Sequence, residues 1–335
     1  MTTTRRSVLR SGTATMLAIL AAPHVARAQS RSFSFAYDQP RTTGYGIFAD
    51  IFGNKLKELS KGTMTTDQFP GAQLGQEPQA LQKVRSGDID FNISSTANAS
   101  TLAPESGVFS LHYLFTGEAH LTKAIADPGV VAAVRGMFKE RVQGAQVLCV
   151  GTLGLRNIYA KKEIRRVEDM KGLKIRVQAT KTEDTHFPAY GAQVVHMPFG
   201  DVYTSLQTGV VDAAENGINV YLSNKHYEVA PVMSWTQHEA NNSVLWVSDK
   251  VWNSLNPEQQ AWVQEAANTV GREQPARALK LEDESAVRLE KIGVKLVREV
   301  DKSGFIKTAA PIQDALAAEL GPNAVKILGL ARGLA

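Results

Sequence analysis

The apolar and polar positions along the first part of the chain predict β-strands that alternate with α-helices. Strands are predicted at 33–37, 63–69 and 89–93, in short segments bounded by glycine, proline and polar residues. Helices are predicted at 45–61 and 77–85, and Gly62 and Gly87 end them. The order β-α-β-α-β implies a sheet with parallel strands and with helices packed on its faces.

Polar side chains follow two of these strands. Asp38 comes directly after the first strand, and the run Ser94–Asn98 follows the third. Ligands of parallel sheets bind beyond the carboxyl ends of the strands. We therefore expect Asp38 and this run near a ligand.

The middle of the chain repeats the same order of elements. Strands are predicted at 173–177, 193–197 and 210–214, and helices at 181–190 and 199–208. The segments 80–90 and 205–212 also resemble each other, because each has Leu-Gln in a helix and then Gly-x-x-Asp. Together these features predict two similar α/β lobes that face one another.

A long helical pattern follows near the end of the chain. Asn256-Pro257-Glu258 is a strong helix start, and the apolar spacing then continues past Pro275 to Ile292. Because a proline inside a helix kinks or breaks it, two interpretations stay open. The segment is either one long kinked helix that spans both lobes, or two ordinary helices joined at Gln274–Pro275.

The first 28 residues have the pattern of an export signal. A twin-arginine sequence, Arg5-Arg6, precedes an apolar stretch at 16–22 that is too short to anchor the chain in a bilayer. Ala26-Arg27-Ala28 supplies the small residues that a signal peptidase requires. We predict a signal of the Tat type, a mature chain that starts near Gln29, and a periplasmic location.

Charge and cysteine content exclude several classes of function. The whole chain has 37 basic and 33 acidic residues, but four of the arginines lie in the predicted signal, which leaves 33 of each sign. The formally neutral mature chain gives no indication of a nucleic-acid or anionic-membrane partner. Cys149 is the only cysteine, so no disulfide within the chain is possible, and its apolar neighbours indicate a buried inert thiol. The histidines are scattered without metal-ligand spacing, no nucleophile or phosphate-binding motif is present, and we expect neither metal nor cofactor.

Two further residues are candidates for a ligand site. Arg176 lies on the strand 173–177, and its planar guanidinium can bind a carboxylate through two parallel hydrogen bonds. The alternative is a surface arginine on an edge strand. Trp235 lies in the stretch that returns between the lobes, and it either lines the pocket or belongs to the core.

The order and spacing of several segments resemble the periplasmic solute-binding subunits of TRAP (tripartite ATP-independent periplasmic) transporters. The resemblance covers nearly the whole mature chain, and it rests on these segments: 70–75, 86–91, 104–109, 154–156, 169–177, 191–192, 198–203, 206–209 and 211–216. It implies an α/β periplasmic binding protein with two lobes, a mixed sheet in each lobe and a long kinked helix that spans both. The expected division places 29–153 and about 242–280 in lobe one, and 154–241 and about 281–335 in lobe two.

The resemblance also implies the ligand-binding residues. The arginine of the Gly-Leu-Lys-Ile-Arg strand, here Arg176, pairs with a carboxylate of the ligand, and Arg156 in the Gly-x-Arg segment assists. Asn216 matches the asparagine that follows the acidic residue of its strand, and Phe199 stands where a ring lies against the ligand. Asp38, Ser95 and Asn98 are pocket positions by analogy. Related sialic-acid binders have a Glu and an Arg in the segment that contains Ser95 and Asn98, so the resemblance argues against sialic acid.

The function that the resemblance implies is capture of a small organic acid, a mono- or dicarboxylate or a hydroxy or sugar acid. A monomeric receptor would then deliver this acid to a membrane TRAP permease. Two alternatives remain: a ligand-sensing protein for a signalling receptor, and a periplasmic enzyme acting on a carboxylated substrate. The enzyme would need a base near Arg176, for which Asp38 and His238 are the candidates.

Overall fold

A computed structural model describes residues 30–335 of the chain, so the predicted export signal and the predicted mature start at Gln29 lie outside the described residues. Among residues 30–335, none of the helices combines the length and the apolar character that a membrane span requires.

The described residues contain one sheet of nine strands. They are β1 (Arg31–Ala36), β2 (Met64–Phe69), β3 (Phe91–Ser95), β4 (Ala145–Ala160), β5 (Lys174–Val177), β6 (Gln193–His196), β7 (Ala213–Asn216), β8 (Val232–Ser248) and β9 (Lys295–Val297). Their order across the sheet is β2-β1-β3-β8-β4-β7-β5-β6, and β9 pairs with β8. The sets β1–β2–β3 and β5–β6–β7 are internally parallel, as the sequence predicts.

The described α-helices surround this sheet. They are α1 (Gly44–Leu59), α2 (Glu77–Ser86), α3 (Thr96–Ala99), α4 (Glu118–Ala126), α5 (Pro128–Arg141), α6 (Lys181–Ala189), α7 (Val202–Thr208), α8 (Ile218–Ser223), α9 (Asp249–Ser254), α10 (Pro257–Lys291), α11 (Ser303–Leu320) and α12 (Pro322–Arg332). Short 3₁₀ helices lie at Pro104–Ser110, Val167–Met170, Phe199–Asp201 and His226–Glu228.

The predicted strand at 210–214 lies further along the chain, at β7. Asp212 binds the backbone of Lys174 in both directions: its N–H donates to the carbonyl oxygen (2.8 Å), and its carboxylate accepts from the N–H (3.0 Å). These bonds make the residues before Ala213 a connection and not part of the strand. As a result, Asn216 is the last residue of β7.

The two antiparallel strands β4 and β8 join the two halves of the molecule. They pair along almost their full length. The strands expected to form a separate mixed sheet in each lobe therefore belong to one continuous sheet. The pairing is interrupted between Thr152 and Leu155 and again between Arg156 and Ile158. Gly154, at φ +88°, lies in the first interruption. Because such bulges change the direction of the following side chain, they place Arg156 on the side of the sheet where the two halves meet.

Helix α10 runs through both lobes as one helix. It contains Pro275 and continues for 35 residues, so the interpretation as a single long helix is confirmed. Its first half packs through Val263 and Val270 with the core of lobe one, and Leu289 packs with a core of lobe two. Beside the proline, the Gln274 amide donates to the carbonyl of Thr152 (2.6 Å) and accepts from its N–H (3.0 Å). The helix is thereby attached to β4 where the pairing with β8 is interrupted.

The last helices differ from the expected division of the chain. Apolar residues of α12, such as Ile327 and Ala331, pack in one cluster with Phe138 and Trp246, which belong to lobe one. The sequence division assigned this segment to lobe two. The amphipathic pattern of α12 shows that one face is buried but does not show which lobe covers it.

Candidate functional site

A small cavity lies where the carboxyl ends of the strands of the two lobes face each other. In the described conformation its free volume is about 20 Å³, roughly the space of one water molecule, so the lobes would have to move apart to admit a ligand. Every predicted site residue except Trp235 lines it. We call it the interlobe cavity, and its lining residues are Asp38, Gln39, Tyr45, Glu77, Ser95, Asn98, Leu153, Arg156, Arg176, Gln178, Phe199, Asn216, Val220 and Asn241.

Arg176 is buried against the cavity without an acidic partner. It lies on β5, is 3% exposed, and donates from Nε (3.2 Å) and Nη2 (2.9 Å) to the carbonyl oxygen of Met197. Among the described residues no carboxylate lies within 4.0 Å of its guanidinium. The Phe199 ring lies 5.8 Å from its central carbon. Burial lowers the pKa of Arg176, although the charge of Glu215 acts in the opposite direction.

The bonds to Met197 occupy one edge of the guanidinium. Nη1 makes no hydrogen bond with the described residues. The edge formed by Nη1 and Nη2 can therefore receive the two oxygens of a carboxylate.

Arg156 has a different environment, because Glu215 neutralises it. Its Nε and Nη2 donate to the two carboxylate oxygens of Glu215, and Nη2 also donates to the Glu215 carbonyl oxygen at 3.1 Å. Nη1 donates to Asn241 at 2.9 Å. Burial by itself raises the pKa of Glu215, but the charge and hydrogen bonds of Arg156 together with the influence of His238 outweigh it and lower the pKa to about 2. The resemblance implied that Arg156 assists in binding the ligand; the structure pairs it with Glu215 and leaves only one N–H of Nη1 for a ligand.

Asn216 and Asn241 form the floor of the cavity between the two arginines. The Asn216 oxygen accepts from the N–H of Gly217 (2.9 Å) and from the Asn241 amide (2.8 Å). These two bonds fix the orientation of the Asn216 amide. Its NH₂ group, for which the described residues supply no acceptor, is available to a ligand oxygen.

The wall contributed by lobe one contains two carboxyl groups, Asp38 and Glu77. Burial, followed by the neighbouring charge of Glu77, raises the pKa of Asp38 well above its ordinary value. Glu77 accepts hydrogen bonds from Tyr45 (3.1 Å), from Asn98 (2.6 Å) and from the backbone and hydroxyl of Ser95 (3.1 and 2.8 Å). Glu77 begins α2, so it reaches the cavity from the start of a helix.

The predicted roles of Ser95 and Asn98 change in this arrangement. The Ser95 hydroxyl and the Asn98 amide both donate to Glu77, so their main contacts are with the protein. The Ser95 oxygen also accepts from the Gln178 amide at 2.8 Å. Ser95 and Asn98 thus line the cavity, but their main contribution is to hold the Glu77 carboxylate in place.

Hydrogen bonds across the cleft hold the two lobes together. Gln178 of lobe two donates to Ser95 of lobe one, and the N–H of Gly200 donates to the side-chain oxygen of Gln76 at 3.3 Å. On the other side of the cavity, Asn224 donates to Gln39 at 3.2 Å. The described conformation therefore has the lobes in contact around the cavity.

Two candidates from the sequence lie outside the cavity. Trp235 is on β8, and its ring lies beneath Arg298, 4.6 Å from the guanidinium carbon, in the packing of lobe two. It does not line the interlobe cavity, so of the two interpretations the structure favours packing within its lobe; the pairing of β8 with β4 is irregular between Ser234 and Glu239, which separates Trp235 from the cavity residue Asn241. His238 is buried behind Arg156, and its Nε2 lies 3.8 Å from Glu215. It does not line the cavity and so is not placed as a base beside Arg176.

Several cavity residues were not predicted from the sequence. Gln178 directly follows β5, and the rule that ligands bind beyond strand ends could have identified it. Glu77 and Asn241 carry no comparable local signal, because a helix start and the interior of a long strand bring them to the cavity.

Comparisons with known proteins agree with this geometry. Residues 35–320 match the model of a family described as bacterial extracellular solute-binding protein, family 7. The 2,3-diketo-L-gulonate-binding periplasmic protein of Escherichia coli K12 is 30% identical over 301 residues, which are 89% of this chain and 90% of that protein.

Solved structures give the same result. A TRAP periplasmic solute-binding protein of Xanthobacter autotrophicus Py2 with bound β-D-galacturonate is 28% identical, with a TM-score of 0.83 over 90% of this chain and 99% of that chain. The sugar acid binding protein of Advenella mimigardefordensis, in complex with galactonate, is 25% identical, with a TM-score of 0.85 over 92% and 99%.

Proposed function

Since the chain belongs to the bacterial extracellular solute-binding proteins of family 7, we propose that it is a periplasmic receptor that captures a sugar acid by its carboxylate. The two lobes close on the ligand, and the closed form is then recognised by the membrane subunits of a TRAP permease. The galacturonate and galactonate held by the related structures support this ligand class.

The buried Arg176 carries the proposal. A charged group removed from water is costly unless it is paired, and the described residues give this guanidinium only one carbonyl oxygen. A ligand carboxylate at the free edge of Arg176 would supply the missing anion through two charge-assisted hydrogen bonds. Binding and closure are thereby coupled, because the carboxylate is paired only inside the cavity.

The charges of the lobe-one wall favour one carboxylate over two. Arg156 and Glu215 neutralise each other, which leaves Arg176 opposite Glu77 and Asp38. A second ligand carboxylate would face the negative charge of Glu77 in a largely buried space, where like charges repel, and the raised pKa of Asp38 indicates that this wall already disfavours a second anion. Hydroxyl groups, in contrast, can donate to Asp38 and accept from Asn216 and Gln178. These charges support a hydroxylated monocarboxylate as the ligand rather than a dicarboxylate.

Two other functions are compatible with the fold. A sensor for a signalling receptor could use the same cavity and differs only in its membrane partner. An enzyme would need a base beside Arg176; Asp38 lines the cavity, but the described residues place no histidine there. The proposal is therefore binding without turnover.

A ligand panel tests the assignment. The mature protein is unfolded and refolded to remove co-purified acids, and its melting temperature is measured with D-galacturonate, D-glucuronate, D-galactonate, succinate and D-galactose. A ligand at a thousand times its Kd stabilises the native state by about 4 kcal/mol. We expect stabilisation by at least one sugar acid, with no comparable effect of succinate or galactose. Stabilisation by succinate or galactose alone would contradict the proposal.

Two further measurements sharpen this test. The bound sugar acid should be recovered unchanged after prolonged incubation, whereas its conversion would favour the enzyme. Glu77→Gln removes a negative charge from the wall and should reduce the discrimination against succinate, while the sugar acid still binds through Arg176. Unchanged discrimination in Glu77→Gln would show that the charge of the wall does not select the ligand.

A further inference from the structure

A cluster of histidine and glutamate side chains is buried behind Arg156, outside the interlobe cavity. His112 follows the 3₁₀ helix Pro104–Ser110, Glu183 and His186 lie on α6, and His238 and Glu239 lie on β8. All five side chains are at most 3% exposed. We call these residues the histidine–glutamate cluster.

The ring nitrogens of His112 and His238 are arranged alike. Nδ1 of His112 lies 3.0 Å from the hydroxyl of Tyr190, and Nδ1 of His238 lies 2.9 Å from the hydroxyl of Thr236. If each Nδ1–H donates to its hydroxyl oxygen, Nε2 of each ring carries a lone pair. Metal-binding histidines are held in the same way, with the second ring nitrogen fixed by an outer hydrogen bond.

Possible ligand atoms of three of these residues lie close together. One donor atom from each of His112, His238 and Glu239 lies within 4.8 Å of the other two. Glu183 is also close, with Oε2 3.3 Å from Nε2 of His112. Two ligands of a tetrahedral zinc ion, each about 2.1 Å from the metal, are about 3.4 Å apart.

Several buried polar atoms of this cluster have no hydrogen-bond partner among the described residues. They include Nε2 of His238, Oε2 of Glu239 and Oε1 of Glu183. Oε2 of Glu239 lies 3.3 Å from Nε of Arg156, but that nitrogen donates to Glu215. A buried polar group without a partner costs about 1–3 kcal/mol, so several in one place require an explanation.

The charges of the cluster are also unbalanced. The Arg156 guanidinium lies within 4.0 Å of both Glu215 and Glu239, so one cation faces two carboxylates, and Glu183 has only the His112 ring beside it. A divalent cation would neutralise both carboxylates and bind the free nitrogens at the same time. Imidazole nitrogen together with carboxylate oxygen is a ligand set suited to zinc and similar transition metals, and not to Mg²⁺ or Ca²⁺, which prefer oxygen ligands alone.

We propose that His112, His238 and Glu239 form a buried structural site for a divalent transition metal such as Zn²⁺, with Glu183 beside His112. All of these side chains are at most 3% exposed, so a bound ion would be closed off from solvent and would be structural. It would fix α6 to β8 behind Arg156. Histidines 126 positions apart in the chain form this site, which explains why their spacing in the sequence did not indicate it.

The alternative is a metal-free cluster in which Glu183 and Glu239 share a proton. Glu239→Gln separates the two, because glutamine can replace a protonated carboxyl group in a hydrogen bond but is a poor metal ligand. A metal site would lose its affinity for zinc in this variant, whereas a proton-sharing pair would keep its stability.

The experiment uses the mature protein, stripped of metal by unfolding in chelator and refolded. Zinc is titrated by calorimetry, and the metal content is measured after gel filtration. We expect about one zinc per chain, a higher melting temperature with zinc than with Mg²⁺, and at least a tenfold loss of zinc affinity in Glu239→Gln. Tyr190→Phe, which removes only the outer hydrogen bond to His112, should weaken zinc about 10–100-fold.

A surface site provides the control. His196 is partly exposed and lies 2.8 Å from Asp184, so it could bind zinc adventitiously. His196→Gln should leave the zinc stoichiometry and the stabilisation unchanged. If His196→Gln abolishes the zinc binding and the stabilisation, the proposal is wrong. The proposal is also wrong if the wild type binds no zinc and Glu239→Gln is as stable as the wild type. If Glu239→Gln does not fold, the absorption spectrum of the cobalt-loaded wild type decides: bands of tetrahedral cobalt support the site, and their absence refutes it.

Discussion

Replacing Arg176 by lysine keeps the positive charge of the cavity but removes the shape that binds a carboxylate. The guanidinium uses one edge for the carbonyl oxygen of Met197 and presents its other edge to the cavity. A lysine offers a single ammonium group, which cannot satisfy the carbonyl and also form two parallel bonds to a ligand. The change therefore tests whether geometry, and not charge alone, determines binding.

The expected magnitude follows from these contacts. A hydrogen bond to a charged group contributes about 1.5–3 kcal/mol, so the loss of one should weaken binding roughly tenfold to 150-fold. Arg176→Ala would leave the ligand carboxylate buried without a partner, at a cost of about 3–5 kcal/mol. Its affinity should fall by roughly a hundredfold to several-thousandfold. The ligand-free protein should melt at nearly the same temperature, because Arg176 has no acidic partner among the described residues.

Calorimetric titration with the sugar acid identified in the panel measures the affinity, and melting curves without ligand measure the stability. Arg166→Lys is a matched control, since the Arg166 side chain is 68% exposed on the same lobe. It should change neither quantity. Near-normal affinity in Arg176→Lys would refute the two-bond geometry. A large fall in the melting temperature of Arg176→Ala, with affinity retained, would make Arg176 a structural residue.

Two further predictions concern closure and export. Gln178→Ala removes the 2.8 Å bond to Ser95 across the cleft and should weaken the binding of the sugar acid by about 0.5–1.5 kcal/mol, chiefly through faster dissociation; stopped-flow release that matches the wild type would contradict a role in closure. The protein recovered from the periplasm should begin near Gln29, and replacing Arg5 and Arg6 by lysines should prevent its export; N-terminal sequencing and fractionation check this, and a retained segment 1–28 would indicate a tethered receptor.

Much of the fold could be predicted because its signals are local. The period of the apolar residues, the glycines that end helices and the Asn-Pro start of α10 act within a few residues, so the elements fell close to their predicted positions. The order β-α-β-α-β then implied parallel strands, and the carboxyl ends of those strands located Asp38 and the run Ser94–Asn98, while the family resemblance implied Arg176 and Asn216. The boundaries of the lobes stay a proposal, because the sequence did not indicate that α12 packs on lobe one.

The partners of the charged residues depended on tertiary structure. Arg156 and Arg176 are both arginines on strands, yet one is neutralised by Glu215 and the other faces the cavity with only a carbonyl oxygen. A bulge in β4 and the register of β4 against β7 and β8 produce this difference. The sequence also could not place Trp235 beneath Arg298, or bring His112 to His238.

The sequence by itself thus determined the elements, the family resemblance and the arginine proposed to bind the carboxylate. The tertiary structure alone decided which charges are neutralised, which carboxylates line the cavity and which histidines meet. The physical reason is that periodicity and capping are short-range properties of the chain. Ion pairs and buried clusters, in contrast, join residues far apart in sequence, and their energies depend on distance and burial that only packing sets.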